Sequence, residues 1–312
     1  TLEPNNRPWI FVLDATPAAP RVPGFQPVMT PDLQWLVNRP VTDIVRYPAS
    51  SFPNFRYGPI SATGNTLIGL QEYLDLPPGF NPRTLQLAAD LRRDPRLATA
   101  GAMTLVTAVM DRLRTGGYRY TLDPGVSGLH SADEFWFDTR EGFCEHIASA
   151  FVILMRGLDV PARVVTGYQG GEVNGVDGFW TVRQSDAHAW AEVWIAPRGW
   201  VRVDPTGAVS PGRVGAFQRL RAPQGAFASA MGTVISPGMA QQMRAVWEAV
   251  NNGWNQWVLN YTQSRQLDLL KALGFESPSW QDLTMMLGVL TLIGAVGGMG
   301  WSLWERSQHD PW

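Results

Sequence analysis

An α+β chain is predicted by three observations. Over the first 212 residues, helical periodicity of apolar residues is confined to stretches between residues 82 and 157. Runs rich in β-branched and aromatic residues follow between 162 and 203. The first eighty residues carry only short β-like runs broken by proline. Helices grouped ahead of an antiparallel set of strands are the α+β arrangement. At 312 residues the chain exceeds one typical domain. The expected parts are a β-rich accessory module over 1–78, a core over 79–212, a loop and amphipathic segment over 213–282, and a transmembrane helix over 283–304.

In the first part, "WIFVLD" (9–14), "QWLV" (34–37) and "TDIVRY" (42–47) read as strands punctuated by proline and asparagine. At "NPRTLQLAADLRRDP" the pattern changes. Asn81 suits an N-cap, Pro82 the first helical position, and Leu85, Leu87, Ala88 and Leu91 make an apolar stripe. A second helix over about 100–114 would turn Met103, Val106, Ala108 or Val109, Met110 and Leu113 inward and stop at Gly116 and Gly117. "YRYTL" then reads as extended. "CEHIASAFVILMRG" carries Ile147, Phe151, Leu154 and Met155 at helical spacing, with Gly157 as its stop. "ARVVTGYQ", "FWTVRQ", "AHAWAEVWI" and "WVRV" read as four consecutive strands of one antiparallel sheet.

Residues 205–238 are rich in glycine, alanine and proline and read as a loop. Met243, Trp247, Val250, Trp254, Trp257 and Tyr261 then recur at spacings of four and three, an aromatic helical face expected to pack on its own domain, with a lipid interface as the alternative. Leu283 to Trp304 is uncharged and long enough to cross about 30 Å of hydrocarbon, which makes membrane lipid an expected partner. The formal charge of −2 and the absence of a basic block argue against nucleic acid. The chain opens at Thr1 without methionine or a signal peptide and is read as processed or cut from something longer.

One cysteine excludes an intrachain disulfide and puts weight on a reactive thiol. Cys144, His188 and Asp204 supply, in chain order, a nucleophile, a base and an orienting group. Cys144 would open a helix, where unpaired N–H groups and the macrodipole favour thiolate. Alternation along "AHAWAEVW" puts His188, Trp190, Glu192 and Trp194 on one face. If Trp194 pairs with Trp200, Trp190 sits opposite Asp204, and Asp204 becomes the diagonal neighbour of His188; a one-residue slip would put it on the wrong face. Trp190 and Trp194 are candidates to wall an acyl site. His146 points away from Cys144 at a helical spacing of two. A zinc site from Cys144, His146 and His188 lacks any close-spaced ligand motif, so neither metal nor cofactor is expected.

"REGFCEHIASAFVILMRGLDVPARVVTGYQGGE", "SDAHAWAEVWI" and "GWVRVDPTGAVSP" resemble the three blocks of the transglutaminase-like cysteine enzymes, in particular the bacterial membrane-anchored transglutaminases of the TgpA type. The resemblance implies a papain/transglutaminase-like core with Cys144 as nucleophile, His188 as general base and Asp204 as its orienting residue. It implies acyl transfer from a protein glutamine carboxamide to an amine through a thioester. Protein or peptide substrates and amine donors would be the partners, in a domain on the periplasmic side of the inner membrane. An upstream aromatic or polar side chain would complete the oxyanion site beside the Cys144 N–H, and Trp136, Tyr118 and Tyr120 all qualify. The same triad could pass the acyl group to water as a peptidase or amidase. An inactive scaffold module is the reading without chemistry.

Overall fold

The computed structural model describes residues 1–61, 63, 65–212, 242–243, 245–250, 285 and 291–292. They fall into two compact units, one of Thr1–Gly171 and Val182–Ala222, the other of Glu172–Thr181 and Pro223–Trp312.

The first unit begins with β1 (Trp9–Ile10), β2 (Val28–Met29) and β3 (Trp35–Leu36), which form a small antiparallel sheet in the order β1-β3-β2. Of the expected 42–47 strand only the isolated bridge Leu2↔Val45 is formed, and a second bridge, Ala15↔Phe52, lies outside the expected runs. Ile10, Val22, Trp35, Val37, Val41 and Val45 make its own small core.

The helices follow as α1 (Asn65–Gln71), α2 (Pro82–Arg93) and α3 (Ala102–Thr115). Asn81 does not cap α2 with its side chain. Its Oδ1 instead accepts from the N–H groups of Ala132 and Asp133. Asp133, buried in α4 (Ser131–Asp133), accepts from the first-turn N–H groups of Arg83 and Thr84 and from the Thr84 hydroxyl. The two helix starts thus satisfy each other's orphan donors. On α3 the buried residues are Leu105, Val106, Val109 and Leu113; Met103, expected inside, is 42% exposed, since the stripe runs through Leu105 instead.

β4 (Arg119–Tyr120) pairs in parallel with β5 (Glu141–Gly142). Immediately after it, α5 (Cys144–Gly157) takes the expected span, with Ile147, Phe151, Leu154 and Met155 fully buried. At roughly 1.5–3 kcal/mol for each large apolar side chain, that burial anchors the helix whose first residue is the cysteine.

The sheet has three strands, not four: β6 (Ala162–Tyr168), then β9 (Ala187–Ile195) in the centre and β10 (Gly199–Val203). The "FWTVRQ" run belongs elsewhere. Within the second unit only Trp180–Thr181 of it is strand, β8, and it pairs with β7 (Glu172–Val173) in a separate hairpin. In the sheet, β9 is paired on both sides, by β6 and β10. The β9–β10 register is Trp194↔Trp200 through Ala191↔Val203, as the sequence predicts. At the turn, Gly199 holds φ +79° beneath Tyr57, where a Cβ would come within 2.2 Å of the Tyr57 carbonyl oxygen. A short α6 (Thr206–Val209) ends this part.

In the second unit, Asn174 of the hairpin donates through Nδ2 to the carbonyl of Ala245. Met243, Trp247 and Val250, expected to pack inward, are 61%, 71% and 59% exposed. Trp254, Trp257 and Tyr261 lie outside the described residues. So does the 283–304 run apart from the helical Met285, Thr291 and Leu292; among the described residues no helix is long and apolar enough to cross a membrane.

Candidate active site

Cys144 enters the site because Phe143, at the N-cap of α5, is extended (φ −104°, ψ −176°) and the helix begins at the next residue. The thiol therefore lies in the first turn, where backbone N–H groups have no helical partner and an anion is favoured. It is buried against Ala148 and Ala189, with Tyr120 and Phe143 beside it.

His188 reaches the thiol from the second residue of β9, and Asp204 reaches His188 from the residue that follows β10. The His188 Nε2 and Asp204 Oδ2 are 2.7 Å apart, with side chains only 4% and 11% exposed. This occupies Nε2 and leaves Nδ1 for the Cys144 sulfur, with which the ring also hydrogen-bonds. The second carboxylate oxygen of Asp204 accepts from the Thr206 N–H. Ala189 lies beyond the last β9–β10 pair, Val203↔Ala191, and its N–H donates to the sulfur as well.

The electrostatics follow from these contacts. Burial by itself would push the thiol up; the hydrogen bond to His188, the Ala189 N–H, the imidazolium charge and the Tyr120 hydroxyl outweigh it and hold Cys144 below its ordinary value. Burial likewise works against the imidazolium. Hydrogen bonds to Asp204 and Cys144 and their charges overcome it and raise His188 to about 9. The two shifts are one coupled effect, which favours a thiolate–imidazolium pair.

Of the other residues singled out from the sequence, Tyr120 is the one beside the sulfur, pinned there by the pairing of β4 with β5 opposite Gly142. Trp136 is fully buried and spends its Nε1 on the Ala150 carbonyl. Tyr118 is buried against Phe135 and donates to the Trp136 carbonyl. Neither of these two lines the site, because both rings complete the core between α3 and α5. Trp190 stands next to His188 with near-parallel rings. Trp194 does not approach the sulfur; its Nε1 donates to the Pro59 carbonyl. Glu192 is taken up by Arg163, which also meets Asp32. His146 packs edge-on against Phe143. Sequence reasoning missed the Ala189 N–H, yet the strand register that placed Asp204 also ends β10 short of Ala189.

A family model described as the transglutaminase-like superfamily matches residues 87–205. The protein-glutamine gamma-glutamyltransferase of Pseudomonas aeruginosa (strain PAO1) is 36% identical over 274 residues, which is 85% of this chain and 39% of that protein. The uncharacterized protein YebA of Bacillus subtilis (strain 168) is 32% identical over 141 residues, 43% of this chain and 19% of that protein. The crystal structure of the periplasmic domain of TgpA from Pseudomonas aeruginosa aligns with a TM-score of 0.61 at 37% identity, covering 70% of this chain and 73% of that one. The chain spans less than half the length of the curated relatives it matches.

Proposed function

The chain belongs to the transglutaminase-like superfamily, of the TgpA type, and from that premise we propose that it transfers the acyl group of a protein glutamine side chain to an amine. The observation that carries this reading is the buried Asp204–His188–Cys144 relay, with His188 Nε2 2.7 Å from Asp204 and the thiol at the start of α5. The Cys144 thiolate attacks the carboxamide carbon, forming a C–S bond, and the carbonyl becomes an oxyanion. The Cys144 N–H and the Tyr120 hydroxyl are the donors assigned to it. As the tetrahedral adduct collapses, the C–N bond breaks and the His188 imidazolium gives its proton to the departing ammonia. An amine then attacks the thioester, His188 takes the amine's proton, and collapse breaks the C–S bond to leave a substituted amide and the thiolate. Asp204 holds the imidazole and stabilises its cation throughout.

The proposal extends to location. Residues 283–304 anchor the chain in the inner membrane, with the Cys144 site on the periplasmic side, the same side as the aligned periplasmic domain of TgpA. Extraction from membranes by alkaline carbonate would remove the anchor from the reading.

The test of the reaction is incorporation of a fluorescent primary amine into a glutamine-containing protein. The full chain is expected to incorporate it and Cys144→Ala to lose all of it. Glutamine deamidation or peptide cleavage with no incorporation at saturating amine would replace transfer by hydrolysis, and unchanged incorporation in Cys144→Ala would remove Cys144 from the mechanism.

A further inference from the structure

We propose that Trp190, seated over Gly167 and held by Arg202, is the positioning residue that keeps the His188 imidazole turned toward Cys144 during turnover. The inference rests on the acyl-transfer reading for what the pair does, but its geometry is independent of that reading.

Asp204 grips His188 at one nitrogen only. A single in-plane hydrogen bond leaves an imidazole able to swing about its Cβ–Cγ bond, a torsion whose well is broad. The ring must nevertheless hold Nδ1 on the sulfur, then on the leaving nitrogen, then on the incoming amine. Something has to limit the swing, and Trp190 is placed to do so. It lies two residues along the same face of β9, and its ring is within 26° of parallel to the imidazole at a centroid separation of 6.3 Å.

The indole is itself constrained from both neighbouring strands. On β6, Gly167 pairs directly with His188, and a Cβ there would come within 2.9 Å of the indole Cη2 and 3.4 Å of Cζ3, so this position has room for the six-membered ring only as glycine. On β10, Arg202 pairs with Glu192 and is thus diagonal to Trp190; its guanidinium carbon stands 4.1 Å from the indole centroid. Among the described residues no acceptor meets the buried Trp190 Nε1. A tryptophan whose polar atom goes unused is there for the size and plane of its ring. The charged groups on this face are Arg202 itself, Asp204 on His188, and Glu192, which Arg163 pairs.

The test uses the full chain with Trp190→Ala, Trp190→Phe and Arg202→Met. Three quantities are read: kcat and KM for amine incorporation, the pH profile of Cys144 alkylation by iodoacetamide, and circular dichroism. Trp190→Ala is expected to lower kcat about tenfold to a hundredfold, with KM changed less than about twofold. Its alkylation midpoint should move to higher pH, because a looser imidazolium stabilises the thiolate less. Trp190→Phe, which keeps an aromatic plane, should recover most of the loss. Arg202→Met should reproduce the effect at about twofold to fivefold; its side chain is exposed, so this variant folds even if Trp190→Ala does not. A folded Trp190→Ala with an unchanged alkylation profile overturns the proposal, as does a rise in KM at constant kcat, which would make Trp190 a substrate wall only. Should Trp190→Ala fail to fold, an Arg202→Met that leaves both profile and kcat unchanged overturns it. A shifted alkylation profile in a protein that incorporates no amine upholds the positioning role and strikes the reaction reading instead.

Discussion

The two faces of β9 are built from the same nine residues and do different work. One face presents Ala189, Ala191 and Val193, all buried, to the α5 side of the core. The other presents His188, Trp190, Glu192 and Trp194, and each has an identified neighbour: Asp204, Arg202, Arg163 and the Pro59 carbonyl. The inner face is generic. Small side chains let α5 lie close, and many apolar residues of similar volume would serve. The outer face is specific, because each side chain depends on one partner from another strand or from the N-terminal module. Activity should therefore be sensitive to the outer face near its His188 end, and stability to the inner face and the far end.

The largest separation is expected at His188. His188→Ala should reduce amine incorporation about a thousandfold or more, the general base being lost. It should also make Cys144 slower to alkylate at pH 7. Burial pushes the thiol up while His188 supplies the leading contribution that lowers it, so without the imidazole the alkylation midpoint moves up, toward or above the ordinary 9.0. A His188→Ala profile identical to that of the unsubstituted chain would mean that the thiol is not tuned from the outer face. Asp204→Asn keeps a hydrogen-bonding group but removes the charge. His188 should then fall from about 9 toward its ordinary 6.5, so the imidazolium is lost from the upper end of the pH range first, and incorporation should drop by about a hundredfold to ten-thousandfold. Nuclear magnetic resonance of the imidazole checks the direction, and a His188 titration unmoved in Asp204→Asn would detach the carboxylate from the pair.

The inner face should respond in the opposite currency. Ala191, with no exposed surface, has no space for a larger side chain, so Ala191→Leu should cost about 1–3 kcal/mol by overpacking. Urea unfolding measures that loss, and kcat per folded molecule should stay within about twofold. A large fall in kcat at unchanged stability would show that the faces are not separable.

This asymmetry also explains what could be read in advance. Apolar periodicity and a glycine stop located α5 residue for residue, since its buried stripe of Ile147, Phe151, Leu154 and Met155 is dictated by local spacing. Alternation together with the pairing of Trp194 with Trp200 located the β9–β10 register, and with it the approach of Asp204 to His188. The failures are those of long-range partnership. Trp136 and Tyr118 look like site residues because they are aromatic and upstream, but aromatic rings fill cores as readily as they line clefts, and nothing local records that their polar atoms meet Ala150 and Trp136 carbonyls. Tyr120 differs from Tyr118 by two residues and by a two-residue parallel pairing with β5 that no periodicity announces. Trp180 has the composition of a sheet strand and pairs instead within a hairpin, because composition does not name a partner.

At the far end of the outer face, Arg163 is the test of how much the N-terminal module contributes. Its guanidinium makes two bonds to Glu192 and one to Asp32, and stacks over Trp200 at 4.5 Å. The Arg163 side chain is 14% exposed, against 49% for Asp32. Removing the arginine strands the partly buried Glu192, so Arg163→Met should cost about 1–2 kcal/mol, below the cost of breaking a fully buried pair. Asp32→Asn breaks only the exposed arm and should cost no more than about 1 kcal/mol, less at high salt. Since neither residue touches the His188 end of the strand, kcat should hold in both. An Asp32→Asn loss equal to that of Arg163→Met would mean that the bond to the N-terminal module, and not the Glu192 pair, is what the outer face depends on at this end.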